Sequence, residues 1–240
     1  MIGTLLNVSS ILAGGAAGLR GWGAPSLVKQ RNARTILGAC TVYYGLRLTL
    51  ASFTGSWGQN LKQLGIVVAA MVAGKIAGGL AGLQSRSNQI GQRVRQLVPS
   101  DGPPPDRPRL GESFRVCAAL FCAAPLGLIG ALEEGLSDYC QPLAIKAVMD
   151  GLAALTLAPA LGTGVLWAAL PVLATQGTVT LLGATFLRPF LLEHQLLAPV
   201  ETTAGLLVFC VALVILGLRK ISLTDYLPSL VFAPLLAWLL

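Results

Sequence analysis

Long apolar runs, with charge confined to the gaps between them, constrain this chain more than any other feature. Only 11% of its residues are Asp, Glu, Lys or Arg, against about 25% in an ordinary soluble domain. A soluble fold needs a polar coat, and this composition cannot supply one. The runs are continuous and do not alternate, which favours spanning helices over the strands of a barrel. Lipid offers no partner for backbone N–H and C=O groups, so each crossing must satisfy them internally. The expectation is an all-α polytopic membrane protein. At roughly 20 residues per crossing, the 240 residues hold about eight spans and no separate soluble domain.

Those spans read as residues 1–19, 35–54, 61–83, 114–132, 143–158, 165–186, 203–218 and 223–240. The first has no basic segment before its apolar stretch, which argues against a cleaved signal peptide. One stretch, 84–112, is clearly polar. It carries Arg86, Arg93, Arg95, Arg107 and Arg109 and the run Pro103, Pro104, Pro105, which cannot be helical. It reads as a linker between a three-span N-terminal half (1–83) and a five-span C-terminal part (113–240). Residues 88–97 within it suit a short surface helix with a basic face. An acidic loop, 133–141, is expected after the fourth span. Helix breaks or kinks are expected at Pro125, in the segment holding Pro159, Gly162 and Gly164, and at Pro171 and Gly177.

Basic residues set orientation. Twelve Lys and Arg fall on the side of the odd-numbered loops and four on the other, which places the odd loops, including 84–112, in the cytoplasm and both termini outside. The formal charge of +7 is thereby assigned to loops beside spans, and no nucleic-acid partner is expected. The bilayer is the expected surround, and the thin wall that eight small spans leave around any cavity is the one ground for a homodimer.

The end of the second span, VYYGLRL, matches the end of the seventh, VILGLRK, at Val42, Gly45, Leu46 and Arg47 against Val214, Gly217, Leu218 and Arg219. These spans cross in opposite senses. That relation would be an inverted repeat of spans one to three with spans six to eight, a common transporter device; four matches between apolar segments also arise by chance.

Ionisable groups inside a span are costly and so mark function by default. Asp150 follows Lys146 by four positions, which puts both on one helix face. Together they can hold a cation or a proton, or form a static pair that locks helices. Lys75 lies nearer a span end and can snorkel to the interface. Asn7, Ser9 and Ser10 give the first span a polar face, and Gln176, Thr178 and Thr180 do the same for the sixth; such groups bond neighbouring helices or line a cavity. Gly14 to Gly18 and Gly74 to Gly78 have the spacing of close helix packing. Five cysteines carry no CxxC pattern and no adjacent histidine, so no metal site is expected. Nucleotide loops and Ser-based triads are absent; no cofactor and no enzymatic activity are expected.

The segments IGTLLNVSSILAGGAAG, LFCAAPLGLIGALEEGL, IKAVMDGLAALTLAPALGTGVLWAALPVLATQGTVTLL and LPSLVFAPLL resemble a bacterial integral-membrane family. It is known as domain of unknown function 554, with YdfK-like and YqgA-like members. The resemblance covers essentially the whole chain. It implies a multi-span protein of the bacterial cytoplasmic (inner) membrane, with a transport role suspected. It points to Asn7, Pro125, Lys146, Asp150, Gly151, Pro171, Gln176 and Gly177. Glu134-Gly135 stands where the family often has Asp-Gly, so the carboxylate is kept but lengthened. Lys75 stands where an acid is expected.

The leading expectation is a secondary transporter or permease for a small solute or ion, cation- or proton-linked. Asp150 would titrate or bind the cation, Lys146 would tune it, and Gln176 and Asn7 would contact the solute, with Glu134 and Thr178 as further candidates. The alternative is a non-transporting assembly or regulatory protein in which the glycine faces bind a partner. An intramembrane enzyme ranks last.

Overall fold

A computed structural model describes residues 1–23, 25–97 and 110–240. The expected linker prolines Pro103, Pro104 and Pro105, with Arg107 and Arg109, lie outside the described residues. Among those described, regular structure is helical.

The N-terminal part forms α1 (Ile2–Leu19), α2 (Leu27–Ala51) and α3 (Trp57–Leu80). At the start of α3 the Ser56 N–H donates to Gln59 Oε1 at 2.8 Å, which satisfies one of the free groups at that terminus. The basic stretch contributes α4 (Leu83–Leu97), which buries none of its residues; the expected surface helix is present and five residues longer at its start. The C-terminal part continues with α5 (Leu110–Cys122), α6 (Pro125–Ser137), α7 (Gln141–Leu161), α8 (Gly164–Trp167) and α9 (Ala169–Leu182). A π-helical turn (Gly183–Leu187) then leads into α10 (Arg188–Glu193), followed by α11 (Leu197–Ile215), α12 (Leu223–Tyr226) and α13 (Ser229–Leu239).

Five of these units are long and apolar enough to cross a bilayer: α1, α3, α7, the run Gly164–Glu193 and α11. The pair α5 and α6, bent by 58° at a short break, passes the same test only when the two are taken together, as a broken span or a re-entrant loop. Eight were expected; the two others are helical but neither is both long and apolar enough to be counted with these. One is α2, whose first turns hold Lys29, Arg31 and Arg34, and the other is the shorter stretch Leu223–Leu239. Outward faces carry exposed Leu5, Val72, Ile76 and Leu170, as a lipid-facing surface does.

Small residues set how closely the helices approach. Gly14 and Gly18 of α1 lie against Gly151 and Leu155 of α7, and Gly74 and Gly78 of α3 lie against Ser229 and Asp225. Gly45 of α2 meets Gly205 and Phe209 of α11, so α2 and the helix that leads into the second matched segment pack on each other, although the two matched segments do not meet at this contact. Two apolar clusters result. One gathers Leu48, Leu126, Ile129, Ile145, Leu207 and Val208; the other gathers Ile11, Phe121, Ala154, Leu161, Val165 and Val172. Helix α7 takes part in both.

Several expectations are corrected. The acidic stretch is not a loop: Glu133 and Glu134 lie inside α6 and are 0% and 3% exposed. Leu132 and Leu136 keep the helical period through them, and the chain turns only at Asp138, in the left-handed region at φ 56°. The second span starts earlier than expected, because Lys, Gln, Arg and Ala are good helix formers and extend α2 below the apolar stretch. Pro159 does not end its helix, which runs two residues further to Leu161; the turn comes at Gly162, φ 69°, ahead of Gly164, the first residue of α8. Pro171 sits in the first turn of α9, where its missing N–H has no intrahelical partner to lose. Gly177 is an interior, buried position of α9 and not a break. At Pro125 the expected break is present: the proline opens α6 at its first position, a place where proline fits.

Candidate functional site

Lys146 and Asp150 occupy one face of α7, four residues apart, and form a buried ion pair. Their exposures are 2% and 8%. A charge taken out of water at this depth needs a partner, and each supplies the other's. The pair sits where α7 passes from one apolar cluster to the other. Beside it opens a cavity of about 630 Å³, lined by Lys146 and Asp150 with Lys29 and Arg34 of α2 and with Pro125 and Leu126. Lys29 and Arg34 are exposed, so the first turns of α2 form the mouth and the ion pair lies deeper.

Behind the pair, Asn7 of α1 and Gln176 of α9 meet. Asn7 Nδ2 donates to Gln176 Oε1 at 3.2 Å. Asn7 Oδ1 and Gln176 Nε2 are buried with no partner. The close approach depends on glycine. A Cβ on Gly127 would lie 2.6 Å from Lys146 Cε and 3.1 Å from Gln176 Nε2. Gly151, next to Asp150, lies against Ser10 of α1. Four expected site residues, Asn7, Lys146, Asp150 and Gln176, therefore converge from α1, α7 and α9 onto the first turn of α6.

Two expected members lie elsewhere. Thr178 lines a different cavity of about 610 Å³, bounded by Ala124, Pro125, Leu128 and Thr175; the α5–α6 break borders both cavities. Residues two apart on a helix do not face the same way, so Gln176 and Thr178 diverge. Thr180, four beyond Gln176, is the buried one and donates to the Ala131 carbonyl at 3.0 Å. Glu134 accepts from the Gly3 N–H at 2.5 Å, the Thr4 N–H at 3.3 Å and the Thr4 hydroxyl at 3.1 Å. It caps the start of α1 from a neighbouring helix. Lys75 is exposed on α3, with its ammonium 5.5 Å from the centre of the Tyr226 ring.

A second polar cluster was not expected. Glu133 is fully buried and neither carboxylate oxygen has a partner. One turn on, Ser137 donates to Glu201 of α11, and Ser52 at the end of α2 donates to the other Glu201 oxygen at 3.2 Å. Gln63 joins them by donating to the Thr202 hydroxyl at 2.6 Å and the Ser52 carbonyl at 3.3 Å. Nearby, the Tyr139 hydroxyl donates to the Tyr44 carbonyl at 3.2 Å; burial pushes it up to about 12, so it remains a donor at neutral pH. The signal for Glu133 was the i, i+4 spacing to Ser137, hidden by reading two adjacent acids as surface.

Comparison with known proteins places the chain. The family described as "Protein of unknown function (DUF554)" matches residues 2–238. The "Uncharacterized protein YqgA" of Escherichia coli (strain K12) is 27% identical over 234 residues, 97% of this chain and 94% of that protein. The "Uncharacterized membrane protein YdfK" of Bacillus subtilis (strain 168) is 24% identical over 175 residues, 73% of this chain and 71% of that one. No solved structure matches. The chain belongs to the DUF554 family of proteins.

Proposed function

We propose that this membrane protein is a secondary transporter or permease for a small solute or ion, linked to a proton or cation. The observation that carries the reading is the buried Lys146–Asp150 pair at the inner end of a cavity of about 630 Å³, beside a span broken at Ala124–Pro125. Broken spans and intramembrane charges are what transporters use to expose a site without unfolding the bundle. Asp150 is the group that exchanges a proton or cation, Lys146 is its counter-ion, and Asn7 and Gln176 supply neutral contacts. We further place the protein in the bacterial inner membrane with both termini outside. The mouth at Lys29 and Arg34 then opens to the cytoplasm, and the Glu133–Glu201 cluster lies toward the other face.

The assembly reading loses its main ground, because the glycine faces of α1 and α3 are taken up within the chain by α7, α12 and α13.

The test is uptake by the purified chain in proteoliposomes under an imposed pH gradient. Asp150→Asn is expected to abolish the response of uptake to the gradient. Full uptake by that variant with an unchanged response would overturn the reading.

A further inference from the structure

The charge of the solute follows from the groups that line the cavity. Three cations face it, Lys29, Arg34 and Lys146, against one carboxylate, Asp150, and that carboxylate is already paired with Lys146. The cavity is therefore positive, with two basic side chains at its mouth uncompensated by any acid in the lining. The start of α6 adds to this. Ala124, Pro125 and Leu126 line the cavity, and α6 is thirteen residues long, so the positive end of its dipole opens there. Pro125 has no N–H to offer, and the Gly127 N–H turns back to the Ala124 carbonyl at 2.9 Å.

Gln176 Nε2 is a buried donor without a partner, and it ends beside Gly127 in that same first turn, next to the Lys146 side chain. Lys146 and the start of α6 therefore meet at the cavity wall, with the Gln176 amide packed behind them and outside the lining. Half-helix N-termini inside a membrane commonly meet the anionic group of a solute.

We propose that the cavity binds a small oxyanion, a carboxylate or phosphate group on a compact solute, between Lys146 and the start of α6, with Arg34 and Lys29 drawing it in. This rests on the transport reading and names its substrate class. Asp150 and the bound anion then compete for the Lys146 ammonium, so Asp150 limits anion binding and does not create it.

The test is equilibrium binding to the full-length detergent-purified chain at constant ionic strength. The probes are acetate, succinate, inorganic phosphate and sulfate as sodium salts, with potassium and choline chloride as the cation panel. One or more oxyanions should bind saturably. Lys29→Gln combined with Arg34→Gln, both at exposed positions, should weaken binding by about tenfold or more. Lys62→Gln with Arg86→Gln, cations outside the cavity lining, should leave it unchanged. Absence of binding by every oxyanion, equal binding in the Lys29/Arg34 variant, or binding of cations alone would each overturn the proposal. So would a site occupied by phosphatidylglycerol headgroups in mixed micelles and closed to the free oxyanions. Cation uptake that depends on Asp150 would leave the transport reading standing and remove this one; saturable oxyanion binding without passage of any solute across liposomes would do the reverse.

Discussion

Asp150 and Glu133 are both buried carboxylates on neighbouring helices, yet their surroundings differ in kind. Asp150 has an ammonium one turn away and opens on a cavity. Glu133 has no donor on either oxygen, and another acid, Glu201, lies in the same cluster. A paired charge stabilises the fold only while its partner remains, whereas a carboxylate with no donors contributes no bonds that a neutral replacement would lose. The two sites therefore answer the same substitution, acid to amide, in opposite ways.

The largest effect is expected at the paired site. Asp150→Asn leaves Lys146 buried and unpaired, and should lower stability by about 3–5 kcal/mol, read from denaturant unfolding in mixed micelles. Replacing both partners, Lys146→Met with Asp150→Leu, should recover most of that loss, because apolar residues of similar size need no counter-ion. The double variant should still be inactive in transport. A double variant as unstable as the single one would show that the pair is not what Asp150 stabilises.

An intermediate effect is expected at Glu134, the neighbour of Glu133 in sequence. Its bonds to Gly3 and Thr4 anchor the start of α1, and an amide there keeps only one of the two accepting oxygens. Glu134→Gln should lower stability by about 1–2 kcal/mol in the same unfolding measurement. A change as large as that of Asp150→Asn would mean that Glu134, and not the Lys146 pair, anchors the bundle.

The smallest effect is expected at Glu133 itself. Glu133→Gln should change stability by less than about 1 kcal/mol, or raise it, since neither carboxyl oxygen has a bond to lose. A loss of several kcal/mol would reveal a partner that the geometry does not contain. Packing offers a check outside both sites. Gly78 lies against the Asp225 backbone, while Gly79 faces open space, so Gly78→Ala should destabilise by about 1–3 kcal/mol and Gly79→Ala should stabilise by up to about 1 kcal/mol.

Much of this contrast was legible in the sequence, because the helical period is. Lys146 and Asp150 at i and i+4, and the glycine pairs at the same spacing, predict shared faces, and those faces are shared. The same rule, applied to Gln176 and Thr178, would have separated them and chosen Thr180 instead. What local reading could not supply was the fate of Glu133 and Glu134. Two adjacent acids before a glycine suggest solvent. They are buried because α1 presents unsatisfied amides to one of them and because Leu132 and Leu136 hold the helix in the core on either side. Neither cause lies near them in sequence. The start of α2 misled in the opposite sense: its charges signalled a loop, yet they extend a helix whose exposed end forms the mouth of the cavity.

The most direct test of the account sets the two carboxylates side by side in one transport assay. Proteoliposomes carrying the unaltered chain, Asp150→Asn or Glu133→Gln would be compared for uptake of acetate, succinate and phosphate with and without an inward proton gradient. The account predicts gradient-driven uptake by the unaltered chain and by Glu133→Gln, and none by Asp150→Asn. Gradient-driven uptake that survives in Asp150→Asn and disappears in Glu133→Gln would contradict it, and would move the coupling site from the cavity to the opposite end of α6.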